Sequence, residues 1–167
     1  MSGAAAGGPS GGGRPAFDAE VETFLALCRT MTLATADADG TPHAANVQYV
    51  HDAGWGLWWV SKPEARHSRE LAARPAAAVT VYAHRDAPDQ IHGLQLRGVV
   101  ATAVTVRDAG FAAAFERYAS KYPFVAEGAL RAAVEAQAFY RFVPSWLRWI
   151  DNRRGFGFKV ETTLSGE

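Results

Sequence analysis

Cysteine is almost absent: Cys28 is the only one in 167 residues. Neither a disulfide framework nor a cysteine-based zinc site can therefore be built within one chain, and a reducing compartment, the cytoplasm, is expected. Surplus charge is absent too. Lys plus Arg and Asp plus Glu each number 17, which argues against a general polyanion binder whose affinity comes from counterion release. No nucleic-acid partner is expected, and any anion must be met by local groups. No apolar run reaches the roughly 18 to 20 residues of a membrane helix, because Arg, Asp, His or Gly interrupts every candidate. No membrane partner is expected. Residues 1–14 are mostly Gly, Ala, Ser and Pro, without the basic start and apolar run of a secretory leader; residues 1–15 read as a disordered tail.

What is present suits one globular domain over residues 16–162, with a short tail at 163–167. Hydrophobic residues make up 49% of the chain, enough at this length to bury a core without cross-links. No internal repeat and no compositional shift divides it. From Asp18, a candidate N-cap, Val21, Phe24, Leu25 and Cys28 follow helical spacing. Residues 31–36 and 44–50 read as strands of a hairpin turned at Asp37-Ala38-Asp39-Gly40. A third strand, 57–60, follows a turn over residues 52–56 and runs directly into a helical stretch ending at Ala73. Two more strands are expected at 76–83 and 94–106, around a polar loop at 85–92. Asp108 is a candidate cap for a helix carrying Phe111, Phe115 and Tyr118, and a second helical run covers 126–137. Strands at 139–143, 147–150 and 158–161 close the chain, the last two separated by a turn at 151–155. The fold class is mainly β: a β-barrel with peripheral helices.

The chemistry concentrates where the third strand meets its helix. Ser61-Lys62-Pro63-Glu64 has the form of a capping box, in which the Ser hydroxyl accepts from the third helical amide and Glu reaches back. Arg66-His67-Ser68-Arg69 then puts two guanidiniums, an imidazole and a hydroxyl at the first turns of the helix. Free amides and the positive end of a helix dipole, together with a guanidinium fork, suit one phosphomonoester. Spacing alone favours a solvated outer face for Arg66 and Arg69.

The order of hairpin, tryptophan-rich strand, Ser-led helix, strand pair and terminal barrel strands resembles the FMN-binding split barrel of pyridoxamine 5'-phosphate oxidase-like proteins, from about Phe17 to Val160. Ser61 followed by Ala65-Arg66-His67, and Asp151-Asn152 leading to Gly155-Phe156-Gly157, are most similar to a small bacterial branch of that superfamily. The resemblance implies an FMN cofactor and a homodimer with the flavin at its interface. It places Asn46, Val47, Gln48 and Tyr49 along the ring, Trp59 and Val60 beside the ribityl chain, and Ser61, Arg66, His67 and Ser68 around the phosphate. Gln95, Arg97 and Trp149 would reach the flavin from the partner subunit. His67 stands where the oxidases carry a more basic residue, and their C-terminal Arg/His substrate motif is missing, which argues against pyridoxamine phosphate itself as substrate. The implied activity is FMN-dependent oxidoreduction of a small molecule, with hydride carried by the flavin, no protein nucleophile and no assigned catalytic residue. The alternative is a non-catalytic flavin or haem carrier or sensor, since one axial histidine needs no long motif.

Other signals point elsewhere. Residues 154–160 resemble the start of an RNA-recognition strand, but Lys159 and Glu161 occupy positions that need apolar and aromatic residues. Trp55, Trp58, Trp59, Trp146 and Trp149 could stack on a flavin or fill the core. His43, His51, His67, His84 and His92 lack the spacing of a zinc motif, so no metal site is expected. No Gly-x-Ser-x-Gly elbow, P-loop or dinucleotide fingerprint occurs in the required setting.

Overall fold

The computed structural model describes residues 18–84, 87–101 and 103–164; the proposed N-terminal tail lies outside them. Helix α1 (Asp18–Leu27) precedes strands β1 (Thr30–Ala36), β2 (Pro42–Gln48), β3 (Val50–His51) and β4 (Leu57–Ser61). Helix α2 (Arg66–Ala73), strands β5 (Ala76–Tyr82) and β6 (His92–Val100), and helices α3 (Phe111–Lys121) and α4 (Gly128–Glu135) follow. The long strand β7 (Ala138–Asp151) and β8 (Lys159–Thr163) complete the chain.

The strands form one eight-stranded antiparallel sheet in the order β2-β1-β5-β6-β7-β4-β3, with β8 added to β7. The two ends of that path are neighbours in sequence, since β2 ends at Gln48 and β3 begins at Val50. One segment thus passes from one edge of the sheet to the other and curls it into a barrel. Closure is incomplete: β2 and β4 approach within 8 Å without a hydrogen-bonded ladder between them. This is the split.

Period-two alternation decides what fills the barrel. Met31 and Leu33 from β1, Leu57 and Trp59 from β4, Val79 and Val81 from β5, Leu94 and Leu96 from β6, and Leu147 and Trp149 from β7 are buried together with Val21, Phe24 and Leu25 of α1. Each large ring removes roughly 150 to 250 Å² from water, an upper-bound stabilisation of about 4 to 6 kcal/mol. A second cluster lies outside the barrel, where Phe111, Phe115 and Tyr118 of α3 and Val134 of α4 pack with Val50 and Phe139. The helical insertion covers that side of the sheet.

Several boundaries differ from the sequence expectation. The strand expected at 44–50 breaks at Tyr49, which is drawn into the core. The two strands expected at 139–143 and 147–150 are one, because a bulge absorbs Pro144 and Ser145: the register steps from Arg97↔Trp146 to Gly98↔Pro144. Proline has no amide to donate, and a bulge asks for none. Gly98 is required there, since a Cβ would lie 2.0 Å from the Val143 carbonyl oxygen. β6 ends at Val100, well short of residue 106, with one isolated bridge from Val104 to Phe139. Asp108 does not cap α3. Its carboxylate accepts from the Thr105 amide and hydroxyl, both at 2.7 Å, and Gly110 stands at the cap. The second insertion helix starts two residues late, after a short 3₁₀ turn at Pro123–Ala126. The turn expected at 52–56 is present, with the Asp52 carboxylate accepting from the Gly54 and Gly56 amides, Trp58 Nε1 and Arg141.

Gly98→Ala should cost at least about 2 kcal/mol through overpacking against fixed backbone; urea unfolding measures it, and an unchanged midpoint would mean that the bulge opens freely.

Candidate functional site

The hairpin pairs Thr35 with His43, both on the face that α2 covers. Helix α2 buries Ser68, Glu70 and Leu71, and Leu71 joins the barrel core. Glu70, only 7% exposed, becomes the hub of a polar cluster. Its Oε2 accepts from Thr35 Oγ1 at 2.5 Å and lies 3.4 Å from His43 Nδ1, and its Oε1 accepts from Arg66 Nε at 2.7 Å. The Thr35 hydroxyl, opposed by burial and reinforced by the Arg66 guanidinium, holds the Glu70 carboxyl below the usual carboxylate range.

Ser61 does not cap the helix. It ends β4, a turn over residues 62–65 follows, and Ala65 stands at the cap without a side-chain bond. Pro63 favours the turn over an immediate helix start. The Ser61 hydroxyl instead shares a 2.8 Å hydrogen bond with His67 Nε2. Burial, reinforced by His43 nearby and opposed by Glu70, pushes the His67 imidazole below its ordinary pKa, so it is neutral at neutral pH. Ser68 Oγ is buried and has no hydrogen-bond partner in the structure. Arg66 keeps about half of its side chain exposed, while Nε is committed to Glu70. Arg69 is exposed and donates to the Glu64 carbonyl, as a residue on a solvated face would.

Ser61, Arg66, His67 and Ser68 are thus brought together. Thr35, His43 and Glu70, which the sequence reading did not select, complete the group. The i, i+4 spacing of Arg66 and Glu70 was a legible signal; their convergence with the hairpin was not.

The other sequence-selected residues fall in two further places. Asn46 and Gln48 point outward from β2, with Asn46 Oδ1 accepting from Thr32 Oγ1 at 2.8 Å, while Val47 faces inward. The pairing registers put Asn46, Thr32, Thr80, Gln95 and Arg148 in one row across the outer face. The next row holds Ala44, Ala34, Ala78, Arg97 and Trp146, with the Arg97 guanidinium 4.3 Å from the Trp146 ring centre. Ala34, Ala36, Ala76, Ala78, Arg97 and Trp146 line an open groove of about 650 Å³. Arg74, just beyond the end of α2, also lines it, so α2 connects the polar cluster to this face.

The side chains of Tyr49, Trp59 and Trp149 are fully buried. Trp59 stacks on Tyr140, and Trp149 packs edge-on against Phe24. Val60 packs against the helical insertion, because β4 alternates and its outward face is the covered one.

A curled antiparallel half-barrel, split beside β2, with a Ser, Arg and His cluster where a strand meets a helix, defines a split-barrel protein. The chain belongs to the pyridoxamine 5'-phosphate oxidase family, whose model matches residues 17–150. No curated protein matches the sequence. Among solved structures, the chain is similar to a heme binding protein from Mycobacterium smegmatis, with a TM-score of 0.71 and 23% identity over 90% of this chain and 59% of that one. It is also similar to HutZ, the heme storage protein from Vibrio cholerae, with a TM-score of 0.64 and 18% identity over 75% of this chain and 88% of that one. An F420 reductase matches with a TM-score of 0.56 and 23% identity over 75% of this chain and 94% of that one. At these identities the likeness is one of fold.

Ser68→Ala should raise unfolding stability by about 1 kcal/mol, since it removes an unpaired buried hydroxyl and installs a better helix former. A urea titration without ligand checks this; a loss of stability would mean that the hydroxyl is satisfied in solution.

Proposed function

We propose that this protein binds FMN, with the phosphate held by Ser61, Arg66, His67 and Ser68 and the ring along the open edge of β2, and that it acts as a flavin-dependent oxidoreductase on a small molecule. The observation that carries this reading is the edge itself. Among the described residues, the outer side of β2 from Pro42 to Gln48 has no laddered neighbour, so its outward amides and carbonyls can pair with the polar edge of a flavin ring, as an edge strand pairs with an added strand. That edge carries His43 and so begins at the polar cluster. The cluster fits a phosphate: a half-exposed guanidinium, an imidazole, and the Ser68 hydroxyl that lacks a partner.

Bound flavin supplies the two-electron chemistry. The chain's part is to hold the phosphate, orient the ring against β2 and leave one side accessible. A homodimer is favoured by the outer face, where Ala34, Ala44 and Ala78 form a small-residue surface beside the half-exposed Val99, and apolar surface of this kind marks association sites. The partner copy would then bring Gln95 and Arg97 near the flavin.

A visible spectrum of purified protein, before and after addition of FMN, tests the reading. Flavin bands or uptake of FMN are expected; a haem Soret band in their place, or failure to take up FMN, overturns it. Arg66→Ala should weaken FMN binding by about ten- to a hundredfold through loss of a charge-assisted phosphate contact, with riboflavin binding little changed. Equal losses for both ligands would place Arg66 away from the phosphate. Ala78→Arg, which plants a charge in the small-residue face, should convert the dimer to a monomer by light scattering; a monomeric parent protein would sink the dimer.

A further inference from the structure

A phosphate site needs cations, yet this one is built around a buried carboxylate. The permanent charges of Arg66 and Glu70 cancel across a 2.7 Å contact. Among the described residues, the side chains that the neighbouring strands bond to the cluster carry no fixed charge. β1 contributes Thr35, β2 contributes His43 and β4 contributes Ser61, while Lys62, Glu64 and Arg69 are exposed. With the His67 imidazole neutral, the Arg66–Glu70 pair leaves the site without a net fixed charge. A phosphomonoester is close to a dianion above its second pKa of about 6, so its arrival leaves two negative charges beside a third, that of Glu70.

We propose that Glu70 is an internal counter-ion that makes phosphate binding at this site proton-linked: the dianion is matched by one proton taken from solvent onto the His67 imidazole. This rests on the phosphate reading of the site. The geometry selects His67 because its Nε2 already bonds Ser61, the strand-end hydroxyl of the cradle. His43 instead faces the counter-ion, with Nδ1 3.4 Å from Glu70 Oε2. One proton accompanies the ligand. Burial keeps His67 neutral while the site is empty, so the proton is absent before binding and present after it.

The arrangement also discriminates between ligands. A site with two permanent cations would hold any phosphate over a wide pH range. Here the phosphate-free form of the same ring gains nothing from the proton and should bind without regard to pH.

Calorimetric titration of the full-length protein with FMN, in two phosphate-free buffers of different ionisation enthalpy, counts the protons directly. Close to one proton taken up per FMN is expected between about pH 7 and 8.5, with affinity falling by up to about tenfold per pH unit as pH rises. Riboflavin should show neither effect. Glu70→Gln should bind FMN more tightly at the alkaline end with reduced proton uptake, and His67→Lys should keep FMN binding with none. FMN binding without proton uptake, or the same pH dependence for riboflavin, overturns the inference alone. Failure of both ligands to bind overturns it together with the flavin reading. The wild-type titration decides even if a variant fails to fold.

Discussion

The barrel depends on how the chain turns at Tyr49. To pass from β2 to β3 it leaves one edge of the sheet and joins the other, and the peptide groups at the turn need partners that no strand supplies. The Tyr49 amide donates to the Arg29 carbonyl, and its own carbonyl oxygen lies 2.8 Å from the Tyr122 hydroxyl. Its phenol donates to the Leu25 carbonyl at the end of α1. Lys121, the last residue of α3, places Nζ 4.3 Å from the Tyr49 ring centre and donates to the Leu25 and Cys28 carbonyls. Helix α1, the seam of the barrel and the end of α3 therefore meet on one side chain. Burial raises the Tyr49 phenol far above its ordinary pKa and lowers Lys121 to about 8, the signature of polar groups kept from water and satisfied by one another.

Closing the seam at one end leaves it open along the rest of β2, the edge on which the proposed flavin site is built. Most of the barrel wall is occupied by hydrogen bonds or covered by the helical insertion. The remaining polar potential lies on β2, in the cluster under α2, and on the outer rows of β1, β5 and β6. Burying Glu70 organises that cluster at an electrostatic cost, and the orphaned Ser68 hydroxyl adds a smaller one. Such departures from an optimal fold are what a ligand site requires, because groups already satisfied within the protein have little to offer a ligand.

Strands such as 31–36 and 57–60 were legible because alternation with β-branched and aromatic residues is a local signal. The hairpin at Gly40, which has φ +87°, and the amphipathic α1 and α3 were legible for the same reason. Ser61 differs from its local reading. Its sequence matches a helix cap, whereas Pro63 and the pull of β7 on β4 keep it in the strand. Tyr49, Trp59 and Trp149 show the converse limit: aromatic residues in strands suit a ligand as well as a core, and only the facing of each strand decides.

Taken alone, the sequence determined most element types, the mainly-β class, and the placing of Ser61, Arg66, His67 and Ser68 around one strand-to-helix junction, since all of these rest on contacts within a few residues. The tertiary structure decided which strand edges stay open and which faces are covered. It also decided that Thr35 and His43 meet Glu70. These outcomes depend on register and closure between segments far apart in the chain, and a one-residue slip in register would have turned every side chain to the opposite face.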